Sequence, residues 1–302
     1  MFINNNSMAT NVANTLTGHY GNLQTSTQRL STGLRVNSAA DDAAGLAIRE
    51  LMRADITALQ QGVRNANDAI SLIQTADGAL GIIDEKLIRM KELAEQAATG
   101  TYDSTQRLMI ESEYQAMASE ITRIANATDF NGIHLLNGNL SSSVHNGKGG
   151  GDFGLESTGK LKVHFGSTND SAEDYYYIQI GNSTASALGV GNSATAFSAE
   201  SDARTVSTQE AAQKALVGLT NAVISKDKIR ANLGAIQNRL ENTISNLTTQ
   251  SENLQAAESR ISDVDVASEM TQFVRNQILT QSAVAMLSQA NSMQQMALSL
   301  IR

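Results

Sequence analysis

A chain of 302 residues with a formal net charge of −8 contains no Trp, no Cys and no Pro, and only 4% of it is aromatic. Large aromatic anchors therefore do not organise its interior, and disulfides, Cys-ligated zinc and thiol catalysis are excluded. Lys and Arg are scattered among acids instead of clustered, which argues against a phosphate-binding face and so against nucleic acid as a partner. Much of the hydrophobic content is Ala, which suits long helices that approach closely through small side chains. No apolar run approaches the roughly 18 to 20 residues of a membrane span. The start, MFINNNSMATN, lacks the basic segment and apolar core of a cleaved signal peptide, so any export is expected to use another route.

From Met8, the positions Met8, Val12, Leu16, Tyr20, Leu23, Thr27, Leu30 and Leu34 recur every three or four residues and predict one face of a long helix ending near Gly33. In SAADDAAG, Ser38 and Asp41 have capping-box spacing, which predicts the start of a second helix there. Within it, Leu59, Val63, Ala66, Ile70, Ile73, Ala76, Leu80, Ile83, Leu87, Met90 and Ala94 keep a spacing of about 3.5 residues, the signature of a coiled-coil seam. At about 1.5 Å per residue this predicts a rod of roughly 80 Å. Asp103 or Ser104 can cap a third helix bearing Ile110, Tyr114, Met117, Ile121 and Ile124, and a helical hairpin is the simplest arrangement.

Two Asn-Gly pairs, Asn131-Gly132 and Asn137-Gly138, then predict tight turns, because both residue types tolerate positive φ. A Gly- and Ser-rich stretch at 141–160 precedes alternating residues Leu161, Val163 and Phe165, and a polar loop returns to Tyr176, Ile178 and Ile180. A β-hairpin inside a polar insert follows from that alternation. Ser207 and Glu210 form another capping box, ahead of a helix with Ile229, Leu233, Ile236, Leu240, Ile244, Leu247, Leu254 and Ile261 on one face. After SDVDVAS, a last helix carries Met270, Phe273, Val274, Ile278, Val284 and Leu287.

The expected fold is thus mainly α: a long antiparallel helical coiled-coil rod with a short β-hairpin-containing insert, its domains discontinuous and drawn from both chain ends. Stripes this long are covered only by partners of comparable length, so the first half must pair with the last third. The outermost segments, 1–34 and 269–302, have little to pack against except each other and are expected to order when other subunits supply further faces. Their apolar positions Val12, Leu16, Leu23, Leu30, Phe273, Val274, Ile278, Val284 and Leu287 form the candidate polymerisation core. Complementary patches on different faces make heterologous contacts, and where the rotation does not close the product is an open helical homopolymer.

RLSTGLRVNSAADDAAGLAI at 29–48, RNANDAISLIQTADGAL at 64–80 and DFNGIHLL at 129–136 resemble the N-terminal signature of bacterial flagellins. NRLENTISNLTTQSENLQAAESRISDVDVASEM, FVRNQILTQSAVAMLSQAN and the ending LSLIR are similarly flagellin-like. The resemblance covers roughly 1–140 and 207–302 and implies a filament subunit without cofactors, not an enzyme. It implies an inner domain at 1–42 and 261–302 lining an axial channel, a helical rod domain at 43–140 and 205–260, and a variable surface insert at 141–204. It further implies export of the unfolded chain by the flagellar type III apparatus and a secreted, extracellular place in the flagellum filament. The implied partners are an export chaperone, filament cap and hook-junction proteins, and a Toll-like innate immune receptor. Receptor contact carries over onto Arg89, Leu93 and Gln96 in LIRMKELAEQ and Glu113 in IESEY.

Other chemistry is weaker. His19, His134, His145 and His164 show no HExxH spacing. Asp41 and Asp42 are explained by capping a helix start, and GKGGG at 147–151 lacks the order of a phosphate-binding loop. A hook-filament junction protein would have a larger centre. A chemoreceptor cytoplasmic domain would leave the hairpin insert unexplained.

Overall fold

The computed structural model describes residues 6–141, 159–170, 174–191 and 202–299. The chain divides into two compact units, residues 1–57 with 251–302 and residues 58–250.

In the first unit, helix α1 (Ser7–Thr32) begins where the Asn6 side chain accepts the Ala9 N–H at 3.0 Å. It ends at Gly33, whose φ of 74° returns its N–H to the Arg29 carbonyl. Leu34 then makes an antiparallel bridge with Asp263, flanked by Arg35 N–H to the Ser262 carbonyl and Val264 N–H to that of Gly33. The buried Arg49 guanidinium donates to the Val36 carbonyl at 2.9 Å, which ties this segment to the first turns of α2 (Ala43–Ala98).

The capping box expected from Ser38 is not what starts α2. Asp42 is the cap: its Oδ1 accepts the Gly45 N–H at 2.9 Å. Asp41 turns the other way and takes the N–H groups of Asn37 and Ser38 and the Ser38 hydroxyl. Of two adjacent carboxylates, the one nearer the orphan helical N–H groups caps and the other closes the preceding turn. The backbone N–H of Ser38, more than any other group, holds the Asp41 carboxyl below the usual carboxylate range.

In the second unit, α2 pairs with two helices. Arg89 meets Glu113 at 2.8 Å, and Arg107 donates to the Ala97 carbonyl, so α3 (Ser104–Ala127) runs antiparallel to it. Arg230 meets Asp77 and Lys226 meets Asp84, so α5 (Gln209–Ser262) is antiparallel as well. The expected seam is buried at Leu59, Ala66, Ile73, Ala76, Leu80, Ile83, Leu87, Met90 and Ala94. A second row, Ala69, Leu72, Ala79, Leu93 and Ala97, is buried beside it. One partner covers a narrow seam, whereas several partners require the wider apolar face of a bundle helix. The α5 cap is Thr208, whose hydroxyl accepts the Ala211 N–H, and not Ser207, whose hydroxyl pairs with Thr205.

Strands β1 (Asp129–Phe130) and β2 (Ile133–His134) close on Asn131 and Gly132, with φ of 53° and 80°. Positive φ at both positions defines the turn that Asn-Gly favours. Strands β3 (Leu161–His164) and β4 (Tyr175–Ile178) pair in the register Leu161 with Ile178 and Val163 with Tyr176. Val163, Phe165, Ile178 and Ile180 are buried, and Arg239 of α5 lies 3.5 Å from the Tyr176 ring centre. Asn65 of α2 donates to the His164 carbonyl at 2.8 Å. The described part of the insert is therefore packed onto α2 and α5 as part of the unit's core. Residues 185–188 add one helical turn, α4 (Ala185–Leu188). The buried Tyr114 hydroxyl donates to the Ala203 carbonyl, and burial raises its pKa well above the usual phenol value.

Candidate assembly surface

The surface begins with α1 and α6 (Val266–Ser299) of the first unit. Asp265 caps α6 by accepting the N–H groups of Ala267 and Ser268. Asn6 donates to the Ala290 carbonyl at 3.2 Å, and Arg29 stands 3.8 Å from Glu269, so the two helices lie antiparallel along their length. Among the described residues, what this pair buries is small: Ser26, Thr280 and Ala290. Thr280 satisfies its hydroxyl on the Asn276 carbonyl at 2.7 Å, so its burial leaves no unpaired donor.

The larger apolar residues are left partly or wholly open. Val12, Leu16, Leu23, Leu30, Phe273 and Leu287 are half-buried, and Val274, Ile278 and Val284 are exposed. Sequence reasoning missed Leu279 and Met286, which are also exposed. They escaped because a single-stripe reading assigns one face to a helix, whereas the apolar residues of α6 surround it. A helix apolar on every side is a buried helix. Within one chain α1 lies along α6, and Val274, Ile278, Leu279, Val284 and Met286 stay exposed.

In the second unit, Arg89 bonds Glu113 through Nε and Nη2 at 3.0 and 2.8 Å and reaches Glu92 through Nη1. All three are exposed. Gln96, also exposed, donates to the Tyr102 hydroxyl at 3.0 Å. Leu93 points the other way and is 1% exposed. Of the four residues carried over for receptor contact, three are on the surface, and Leu93 lies in the packing beneath them.

His19 lies on α1, His134 on β2 and His164 on β3, and His145 and GKGGG at 147–151 lie outside the described residues. Among the described residues, no group of three His, Asp or Glu side chains could hold a metal ion, and no helix is long and apolar enough to cross a membrane. Asp41 and Asp42 are engaged in turn and cap bonds, which leaves no acid–base pair there. One charged group that sequence reasoning missed is Lys226, which is 1% exposed, with Nζ 2.6 Å from Asp84 and 2.7 Å from Asp227. The only sequence signal was its place on the buried face of α5, in line with Ala215, Leu219 and Ala222.

A chain whose two ends pair through small residues and leave large apolar ones uncovered is a structural subunit completed by other subunits. Residues 3–141 match the bacterial flagellin N-terminal helical region, and residues 216–301 match the bacterial flagellin C-terminal helical region. Flagellin of Bacillus subtilis is 42% identical, with all of both chains covered. Flagellin FlaB2 of Treponema pallidum and the flagellar filament 33 kDa core protein of Treponema phagedenis are each 39% identical, again over all of both chains. The chain belongs to the bacterial flagellin family. It is a structural subunit of the flagellar filament and not an enzyme.

Proposed function

We propose that the open apolar side chains of α1 and α6, namely Val12, Leu16, Leu23, Leu30, Phe273, Val274, Ile278, Val284 and Leu287, are the contacts by which copies of this chain stack into an open helical filament. The observation that carries this reading is the exposure of Val274, Ile278 and Val284 on a helix whose apolar residues run all round it. Each buried CH₂ contributes about 0.8 kcal/mol, so covering three such side chains supplies several kcal/mol per subunit. In this reading 1–42 and 261–302 form the filament core, 43–140 and 205–260 a surrounding helical layer, and 141–204 the outermost segment.

The same reading has the chain leave the cell unfolded through the flagellar type III apparatus, held beforehand by an export chaperone. It is then added beneath a filament cap onto a filament rooted on hook-junction proteins, in the extracellular medium. The test is elongation of short filament fragments by purified protein, followed by electron microscopy, beside a chain lacking residues 269–302. The intact chain extends the fragments and the truncated chain does not. Failure of both while the second unit stays folded would instead indicate a cap or junction role.

Recognition by a Toll-like receptor is the second part. Arg89, Gln96 and Glu113 supply the surface, with Leu93 supporting it from below. The supporting feature is the exposed Arg89–Glu113 pair, in which Nε and Nη2 both donate to one carboxylate oxygen and set opposite charges side by side on the surface. Arg89→Ala is expected to lower receptor-reporter activity by about tenfold, the loss of one charge-assisted contact. Unchanged activity in a folded Arg89→Ala protein would remove this surface from consideration.

A further inference from the structure

Met8, Met270, Met286, Met293 and Met296 stand between 44 and 62% exposed on α1 and α6, the same helices that carry the open assembly residues. In the second unit Met90 is fully buried, while Met109 on α3 is 69% exposed but lies outside these two helices. A thioether is apolar and adaptable, and it suits a contact surface that must fit several neighbours. In a chain without Cys it is also the side chain that a peroxide most readily converts into something polar.

We infer that these five methionines are an oxidative modification site that decides whether a subunit can assemble. In the reaction, a thioether sulfur attacks the O–O bond of hydrogen peroxide. One oxygen is transferred to sulfur, which is oxidised by two electrons, and the other leaves as water. The product, methionine sulfoxide, carries a strong S=O acceptor where the assembled state needs an apolar contact. Burying that acceptor without a donor is unfavourable, whereas in the free subunit it stays hydrated. Oxidation therefore penalises the assembled state selectively. The converse also holds: subunits already in a filament have these sulfurs covered and are protected. This inference rests on the assembly reading above, because it requires the α1 and α6 surfaces to be the ones that become covered.

The test treats free subunits with hydrogen peroxide, removes the oxidant, and measures elongation of untreated filament fragments. Oxidised wild-type protein is expected to elongate slower by about tenfold or more, the effect of burying even one unsatisfied S=O. A protein carrying M8L, M270L, M286L, M293L and M296L is expected to be indifferent to the treatment. Should that variant not elongate even untreated, repair of oxidised wild-type protein by methionine sulfoxide reductases decides, and recovery of elongation is expected. In parallel, peptide mass spectrometry should show the five sulfurs oxidised faster in free subunits than in filaments, with Met90 slow in both. Equal elongation by oxidised and untreated wild-type protein, or no recovery on repair, overturns the inference while leaving the assembly reading intact. If untreated wild-type protein fails to elongate, the assembly reading falls and this inference falls with it.

Discussion

At the scale of single residues, Gly62 and Gly78 show how one residue type serves two ends inside one helix. Gly in a helix interior costs about 1 kcal/mol relative to Ala, so each position needs a reason. A Cβ at Gly62 would stand 1.9 Å from the carbonyl oxygen of Phe165, a backbone atom that cannot swing aside. At Gly78 a Cβ would meet nothing within 4 Å. The hairpin is thus seated on α2 by the absence of a side chain at Gly62. We expect Gly62→Ala to destabilise by about 2 kcal/mol or more, because overpacking outweighs the propensity gain. Gly78→Ala should stabilise by about 0.5–1 kcal/mol. Urea denaturation of the second unit's helices measures both, and a stabilised Gly62→Ala protein would refute the close-approach explanation. From sequence the two glycines are indistinguishable, since the partner of one lies about a hundred positions away.

At the scale of elements, the position and type of each helix were legible, and the reasons for each start less so. Periodicity located α1, α2, α3, α5 and α6, and the alternation at Leu161, Val163 and Phe165 located β3. The α2 cap, Asp42, lies four positions after the expected Ser38, and the α5 cap, Thr208, one position after the expected Ser207, because neighbouring polar residues compete and the distance to the first free N–H groups decides. Lys226 was hidden for another reason: an ammonium on a helix reads as a solvent-facing position unless its partners on the neighbouring helix are known. Asp84 provides that partner, and the pair fixes how α5 is set along α2. Removing one member of such a pair is worse than removing the charge that needs it. Asp84→Ala leaves the ammonium with only the exposed Asp227 and is expected to cost about 2–3 kcal/mol, toward the low end because Asp84 is partly solvated. Lys226→Met should stay within about 1 kcal/mol of the parent. Chemical denaturation of the two variants side by side checks this, and equal losses would show that the pair does not set the register.

At the scale of the whole molecule, the pairing of early with late residues was legible because neither half has a partner of its own length nearby in sequence. What was not legible is that the described insert joins the core of residues 58–250. Its polar composition suggested a surface appendage, while its few apolar residues, Phe165, Ile178 and Ile180, are among the most deeply buried in the chain. The chain's two compact units also divide at 57 and 250, within the continuous helices α2 and α5, where no break in pattern marks a boundary. A sequence reading sees where elements stop, whereas packing can change partners in mid-helix.

The wide separation of partners also bears on timing. Asp77 and the Arg230 it pairs with are 153 residues apart, and Asn65 and His164 are 99 apart. At synthesis rates of about 5–20 residues per second, Arg230 follows Asp77 out of the ribosome by roughly 8–30 s. Through that interval the apolar face of α2 has α3 and the β3–β4 hairpin to lie against but not α5, and contacts between such distant segments form slowly even once both are present. The delay is set by connectivity alone, and any factor that binds amphipathic helices has that long to act before α5 takes its place.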